Sequence, residues 1–395
     1  MDKKKFIGMR LKDALQFRER KMSDLSEETG ISKQSLSLYA NNGNTPPFEN
    51  VIKIANALQF PTDYFMTEAG CSVATSNTYF RSQASAKKKS RNSQKIKLEY
   101  VAKIYEVLLH YVNFPELNLP ILEDFRLTDD ICLSDSEETF LEIERLADEV
   151  RKKWNLGNGP IENLQYVLES NGIIVTGFKD VTSNIDAFSQ QIDVEGKKIY
   201  IIALAIGSKP IERLRFDMAH ELGHILMHSW GEENEDVSKD EFNAREKQAN
   251  FFASALLLPK ETFSRTIAAY PTNVDYYISL KKKWRVSMQA MMYRTWQMGI
   301  ITSSQFQYMM RTISKNGWRT NEPGDVPGNL RDTIFQGAID LLFDGGYLTV
   351  DELLKEFYSY GIIFLQNDLE NLMCLRSGTL DNKQKIIPFI SVKKE

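Results

Sequence analysis

The sequence predicts a multidomain chain: an all-α N-terminal module, an α+β core and a mostly helical C-terminal region. Three observations carry this. At 395 residues the chain exceeds the roughly 250–300 residues at which single cores stop growing, so two to four domains are expected. Residues 1–67 read as short amphipathic helices separated by tight turns. Short strand-like runs at 173–176, 187–189 and 199–205 lie between longer helical patterns.

Composition narrows the class. Hydrophobic residues make up 42% and aromatics 11%, enough to build real cores and exclude wholesale disorder. The net charge of −4 provides no polycationic coat, so any nucleic-acid contact has to come from a local basic patch. The 3 cysteines (Cys71, Cys132, Cys374) are far apart, which excludes a disulfide scaffold or a cysteine-built zinc finger and fits a cytoplasmic protein. The N-terminus is charged throughout and no apolar run approaches the ~20 residues of a membrane span, so no membrane association is expected. Of the 4 histidines, His220, His224 and His228 fall close together.

Taken in order, Phe6, Met9, Leu11, Leu15 and Phe17 give a first amphipathic helix, and residues 23–29 a second that Gly30 stops. Ser32 caps a third running to about Ala40. After the loop from Asn42 to Pro47, Val51, Ile54, Ala55 and Leu58 repeat at helical spacing. Residues 71–93 are rich in Ser, Thr, Asn and Lys and read as a linker, followed by a helical stretch at 96–112 with His110 on its apolar stripe. Residues 81–97 are basic. They read as a solvated linker, with added phosphate contacts as the alternative. The expected domains are 1–70, a connector at 71–135, the core at 136–265, a helical region at 266–330 and a mixed region at 331–395 with a short strand at 362–365.

The chemistry concentrates in Arg215-Phe216-Asp217-Met218-Ala219-His220-Glu221-Leu222-Gly223-His224. Residues four apart share one face of a helix, so His220 and His224 can converge on one Zn²⁺. Glu221 is offset toward the open position of such an ion, where it can take a proton from the bound water. A third ligand is required. His228 lies eight residues after His220, ~12 Å along a straight helix at ~1.5 Å rise per residue, and is expected behind the ligands. Glu246 heads the stripe Glu246, Ala249, Asn250, Ala253, whose small residues let that helix pack close to the histidine helix. Asn250 is expected to support the ligands rather than bind. Glu232, Glu233, Glu235, Asp236, Asp240 and Glu241 read as solvated loop charges, and Arg215 and Asp217 as packing residues.

Residues 136–260 resemble the ImmA/IrrE family of zinc metallopeptidases. The resemblance rests on four segments: Ile143-Glu144 and Ala147 with Trp154, Gly157 and Pro160-Ile161; Asp186-Ala187-Phe188; Arg215-Phe216 through His228; and Glu246, Ala249-Asn250, Phe252-Ala253 ending in Leu257-Leu258-Pro259. Trp284-Arg285-Val286-Ser287 and Gly317-Trp318-Arg319 are similar to the family's later helical region. The resemblance implies a zincin-like core, zinc on His220, His224 and Glu246, and Glu221 as the base. It also implies a helix-turn-helix repressor as protein substrate, and control of mobile-element or stress genes.

Residues 1–67 resemble a lambda-repressor-like (XRE) helix-turn-helix, through Leu25, Gly30-Ile31-Ser32, Ser35-Leu36-Ser37, Gly43, Pro47 and Ile54-Ala55 with Leu58. In that geometry Ser32, Lys33, Gln34, Ser35 and Ser37 face the major groove of DNA. Two departures stand out: Lys21-Met22 opens the motif's first helix, and Ala40-Asn41-Asn42-Gly43 is one residue longer than usual. The module's alternative use is pairing with another helix-turn-helix protein or with itself as a homodimer.

The expected function is therefore a zinc endopeptidase and regulator. The strand at 199–205 is expected to offer an edge to the substrate backbone. Two other readings stay open: a DNA-binding regulator whose peptidase-like body senses or oligomerises, and a toxin or phage-defence effector protease.

Overall fold

A computed structural model describes residues 5–68, 74–80, 88–120, 136–179, 186–207, 209–228 and 238–381. Cys71, Cys132, Arg81 with the first part of the basic run, residues 121–135 of the expected connector, and Glu232, Glu233, Glu235 and Asp236 lie outside the described residues. The chain divides into two compact units. One comprises residues 1–72, 103–112 and 335–395, the other 73–102 and 113–334.

The first unit starts with α1 (Gly8–Phe17), α2 (Met22–Thr29), α3 (Lys33–Ala40) and α4 (Phe48–Leu58), followed by a 3₁₀ turn at Thr62–Met66. Gly30, at φ 70°, ends α2, and the Ser32 hydroxyl accepts the Ser35 amide to start α3. Leu11, Leu25, Leu36, Ile54, Leu58, Tyr64 and Phe65 form a core closed to solvent. The longer Ala40–Gly43 connection has a structural use. Asn42 adopts φ 56°, and its Oδ1 accepts the Gly8 amide at 2.8 Å, tying that loop to the start of α1.

The rest of this unit comes from residues 103–112 and from the C-terminal part of the chain. Residues 362–365 are a segment without strand pairing between the helices Val350–Ser359 and Gln366–Met373, not the expected short strand. The run is apolar because it covers a helical core. Phe364 sits with ring centroids 5.1 Å from Phe17, 5.4 Å from Phe60 and 5.9 Å from Tyr64. Arg18 fastens the arrangement through Asp368 at 2.7 Å and the Leu58 carbonyl at 2.9 Å. His110 is also corrected: it is exposed, with its Nδ1 3.3 Å from the Tyr360 hydroxyl. The apolar stripe of its helix passes beside it.

The second unit holds a four-stranded sheet of order β1-β3-β4-β2. The strands are β1 (Ala74–Phe80), β2 (Ile173–Phe178), β3 (Ala187–Val194) and β4 (Lys197–Ala205). β3 and β4 form an antiparallel hairpin through Glu195 and Gly196, both at positive φ, and β2 joins β4 in parallel. β4, expected at an edge, is interior, with β3 on one side and β2 on the other. Its Ile199–Leu204 run is fully buried, so both faces of the strand are covered. The outer place next to β3 belongs to β1, formed by part of the segment read as a linker.

The helices of this unit include α5 (Lys88–Leu109, whose last turns belong to the first unit), α6 (Glu137–Lys153), α7 (Leu164–Ser170), α8 (Ile211–Met227), α9 (Lys239–Leu257), α10 (Lys260–Ile267), α11 (Val274–Trp284), α12 (Met288–Gln297) and α13 (Ser303–Lys315). Lys281 is buried with Trp284 and bonded to Glu322 at 3.1 Å. Lys282 and Lys283 remain exposed. Among the described residues no helix is long and apolar enough to cross a membrane.

Candidate metal centre

The site is built on α8 and α9. The start of α8 is pinned where the Ile211 amide meets the Val326 carbonyl at 2.9 Å. The buried Arg215 guanidinium donates to the carbonyls of Ile161, Glu162 and Arg285, so it is a packing residue. Lys209 Nζ bridges Asp186 at 2.8 Å and Asp217 at 2.9 Å, fixing the face of α8 one turn before the histidines. α9 is capped at Ser238, whose hydroxyl accepts the Glu241 amide. Asp240 and Glu241, expected in a loop, form its acidic first turn. At its other end two buried arginines hold the final carbonyls: Arg151 donates to Leu256 and Arg294 to Leu258.

The two helices approach closely at Gly223. A Cβ there would lie 3.0 Å from Phe252 Cδ1 and 3.3 Å from Ala249 Cα, so a larger residue would push the helices apart. This proximity, read in the sequence from the small residues of α9 alone, brings Glu246 beside the histidines. Glu246 Oε1 is 3.2 Å from His224 Nε2 and Oε2 is 3.6 Å from His220 Nε2. The two Nε2 atoms are 2.9 Å apart. One ligand atom from each of the three residues lies within 4.8 Å of the others, and together they could hold a metal ion. Ligand atoms on a tetrahedral ion with bonds of ~2.0–2.2 Å stand ~3.3–3.5 Å apart, close to these separations, and two imidazoles with one carboxylate suit a borderline cation.

Behind the cluster the partners fix which nitrogens face inward. His220 Nδ1 is 3.1 Å from Asn250 Oδ1. His224 Nδ1 is 2.8 Å from His228 Nδ1, and His228 Nε2 is 3.1 Å from Gln248 Oε1. One assignment satisfies all of these. Asn250 and His228 accept from the Nδ1–H groups, Gln248 accepts from His228 Nε2–H, and both inward Nε2 atoms keep their lone pairs. Burial, then the neighbouring His224, hold the His228 imidazole well below its ordinary pKa of 6.5, in the neutral form this chain of bonds requires.

Glu221 is on α8 beside the first histidine and, like His220 and His224, has 0% exposure. Its Oε2 accepts a 2.6 Å hydrogen bond from Ser189 Oγ on β3. Sequence reading missed Ser189 and Gln248. Ser189 lies one residue beyond the Asp186-Ala187-Phe188 segment, and Gln248 two residues after Glu246, but nothing local ties either to the histidines. A cavity of about 590 Å³ lies against the opposite face of α8, lined by Ile211, Arg215 and Met218, and contains none of these groups.

Residues 169–295 match the family model described as the IrrE N-terminal-like domain, Peptidase_M78. That stretch is similar to an IrrE N-terminal-like domain. Residues 11–65 match the helix-turn-helix model, so the chain joins an XRE-type helix-turn-helix to a metallopeptidase-type domain. None of the curated proteins compared with the chain matches it. The IrrE N-terminal-like match contains β2 to β4, both site helices and every residue of the cluster, and leaves out β1 and α6. In the helix-turn-helix, Ser32, Lys33, Gln34 and Ser37 are exposed on the start and outer face of α3, and Ser35 is half-buried with its hydroxyl 2.9 Å from that of Ser32.

Proposed function

We propose that the chain is a zinc-dependent endopeptidase and regulator, acting in the cytoplasm on a protein substrate that is itself a helix-turn-helix repressor or partner. The observation that carries it is the triad of buried His220 and His224 with half-buried Glu246, and Glu221 alongside, held at 2.6 Å by Ser189. When bound, Zn²⁺ supplies Lewis acidity that polarises a carbonyl and makes water acidic near neutral pH. Glu221 takes the proton of the attacking water and delivers it to the nitrogen of the departing amine. His220, His224 and Glu246 hold the ion, and Asn250 and His228 orient the two imidazoles.

The N-terminal module is proposed to bind DNA through Ser32, Lys33, Gln34, Ser35 and Ser37, with Gln34 reading adenine edges and Lys33 a phosphate or guanine. Homodimerisation through this module is proposed as its second use, since Phe48 and Ile52, one turn apart on α4, are 61% and 38% exposed. A regulator fits the pairing of the two domains, and control of mobile-element, stress or defence genes is the proposed setting. The test is incubation of the zinc-loaded protein with the helix-turn-helix repressor encoded beside it. A cut made by the wild type and absent with Glu221→Gln supports the reading. Bound zinc with no Glu221-dependent cut of the repressor removes this substrate class, and a monomeric sedimentation profile removes the dimer.

A further inference from the structure

β3 borders the reacting centre, because Ser189 on this strand holds Glu221. One edge of β3 is filled by β4 from Ala187 to Val194. The other is filled by β1, antiparallel, with Ala74 opposite Asp193, Thr75 opposite Ile192, Thr78 opposite Gln190, Tyr79 opposite Ser189 and Phe80 opposite Phe188. The chain's own backbone thus runs along the outer edge of the strand that holds the general base, with Tyr79 directly across from Ser189. An extended polypeptide entering beside that strand would pair in the same way, by adding to the sheet edge.

Two further observations bear on what β1 does there. His220, Glu221 and His224 have 0% exposure, so a polypeptide reaches them only after something has moved. And β1 is a weakly built strand. Its sequence, Ala-Thr-Ser-Asn-Thr-Tyr-Phe, contains no Ile, Val or Leu, whereas β2 and β4 are rich in them. Its pairing is also interrupted between Thr75 and Thr78. A strand held by two short ladders and little aliphatic surface can be displaced. Its tether compensates, since a segment joined to the chain competes at an effective concentration in the millimolar range.

We propose that the β3 edge takes one extended polypeptide at a time, and that Ala74–Phe80 is a built-in occupant that the substrate displaces in order to reach Glu221. The inference rests on the peptidase reading for the meaning of the site and adds how its polypeptide is admitted.

The test uses the full chain, zinc-loaded, in the non-cutting Glu221→Gln background, with a fluorescent peptide copying Ala74–Phe80 as probe. Thr78→Pro puts a residue disfavoured within a ladder opposite Gln190 and is expected to tighten peptide binding about tenfold or more, as release from an occupant that vacates the edge roughly a tenth of the time requires. A second protein carries Thr78→Cys with Gln190→Cys at directly opposed positions. Oxidation is expected to abolish peptide binding and dithiothreitol to restore it. If Thr78→Pro fails to fold, by zinc content and circular dichroism, the oxidised and reduced cysteine pair decides alone. Equal affinity across the set, or no binding by any member, overturns the proposal. Because the probe is bound and not cut, that failure leaves the peptidase reading standing, and a failure of Glu221-dependent cleavage leaves the strand displacement standing.

Discussion

Ser189 Oγ on β3 donates a 2.6 Å hydrogen bond to Glu221 Oε2 on α8, so the sheet and the histidine helix meet at the proposed base. A hydrogen bond to a charged group contributes about 1.5–3 kcal/mol. Ser189→Ala is expected to leave bound zinc unchanged and to slow turnover about ten- to a hundredfold, with kcat lowered more than KM is raised. Loss of zinc in the same variant would show that Ser189 holds the fold and not the base.

The path from His224 through His228 to Gln248 predicts an effect on metal affinity at a residue too distant to touch the ion. Partners of metal-bound histidines typically contribute ten- to a hundredfold in affinity. Gln248→Met is expected to weaken zinc binding by about that factor in a chelator competition, and Gln248→Glu, which keeps an acceptor, to recover most of it. Equal affinities for the wild type and Gln248→Met would remove the role assigned to this chain of bonds.

Gly223 sets the spacing of α8 and α9. Gly223→Ala forces a methyl to 3.0 Å from Phe252 and 3.3 Å from Ala249. Overpacking of this kind costs about 1–3 kcal/mol. Lower thermal stability and weaker zinc binding are expected together, since any separation of the helices draws Glu246 away from the histidines.

Stability should depend on pH through Glu169 of α7. Burial raises its carboxyl from 4.5 to about 8, against the opposing pull of hydrogen bonds from the Ile334 amide at 3.1 Å and Gln165 at 3.3 Å. A group raised in the folded state favours folding fully below its unfolded value and loses that contribution as pH climbs through its folded value. Unfolding free energy should therefore fall between about pH 5 and pH 8, by up to about 1.4 kcal/mol per pH unit from this group. Glu169→Gln should flatten that slope in urea titrations. An unchanged slope would assign the dependence elsewhere.

In the helix-turn-helix, Lys33 and Gln34 are expected to behave differently on DNA. Lys33→Ala should weaken binding to all sequences and lower the salt slope by about 1, and Gln34→Ala should relax preference at one base pair by about 1–3 kcal/mol. Identical losses in both, on any sequence, would contradict the assigned roles.

What could be read from the sequence follows from how local each feature is. The convergence of His220 and His224 needs only the helical repeat, and Glu246 a stripe of small residues together with the family resemblance. Ser189 and Gln248 act across 32 and 20 residues of sequence, where no spacing rule reaches. The strand at Ala74–Phe80 was missed because its composition is that of a linker; the ladder to β3 makes it a strand. The apolar run at Ile362–Leu365 misled in the opposite direction, since apolar periodicity reports burial and not what does the burying. β4 was rightly read as a strand, but its place inside the sheet depends on its pairing with β3 on one side and β2 on the other, which no periodicity along β4 itself reports.

The central claim is that Glu221, beside a bound zinc ion, hydrolyses polypeptide. It is tested most directly by mapping new protein N-termini by mass spectrometry after zinc-loaded wild type and Glu221→Gln are each incubated with extract of the source cells. Both proteins are expected to hold one equivalent of zinc, with a discrete set of new N-termini produced by the wild type and, after loss of a general base contributing about 10²–10⁴ in rate, absent from the variant. The same N-termini from both proteins, or none from either while zinc is bound, would contradict the account.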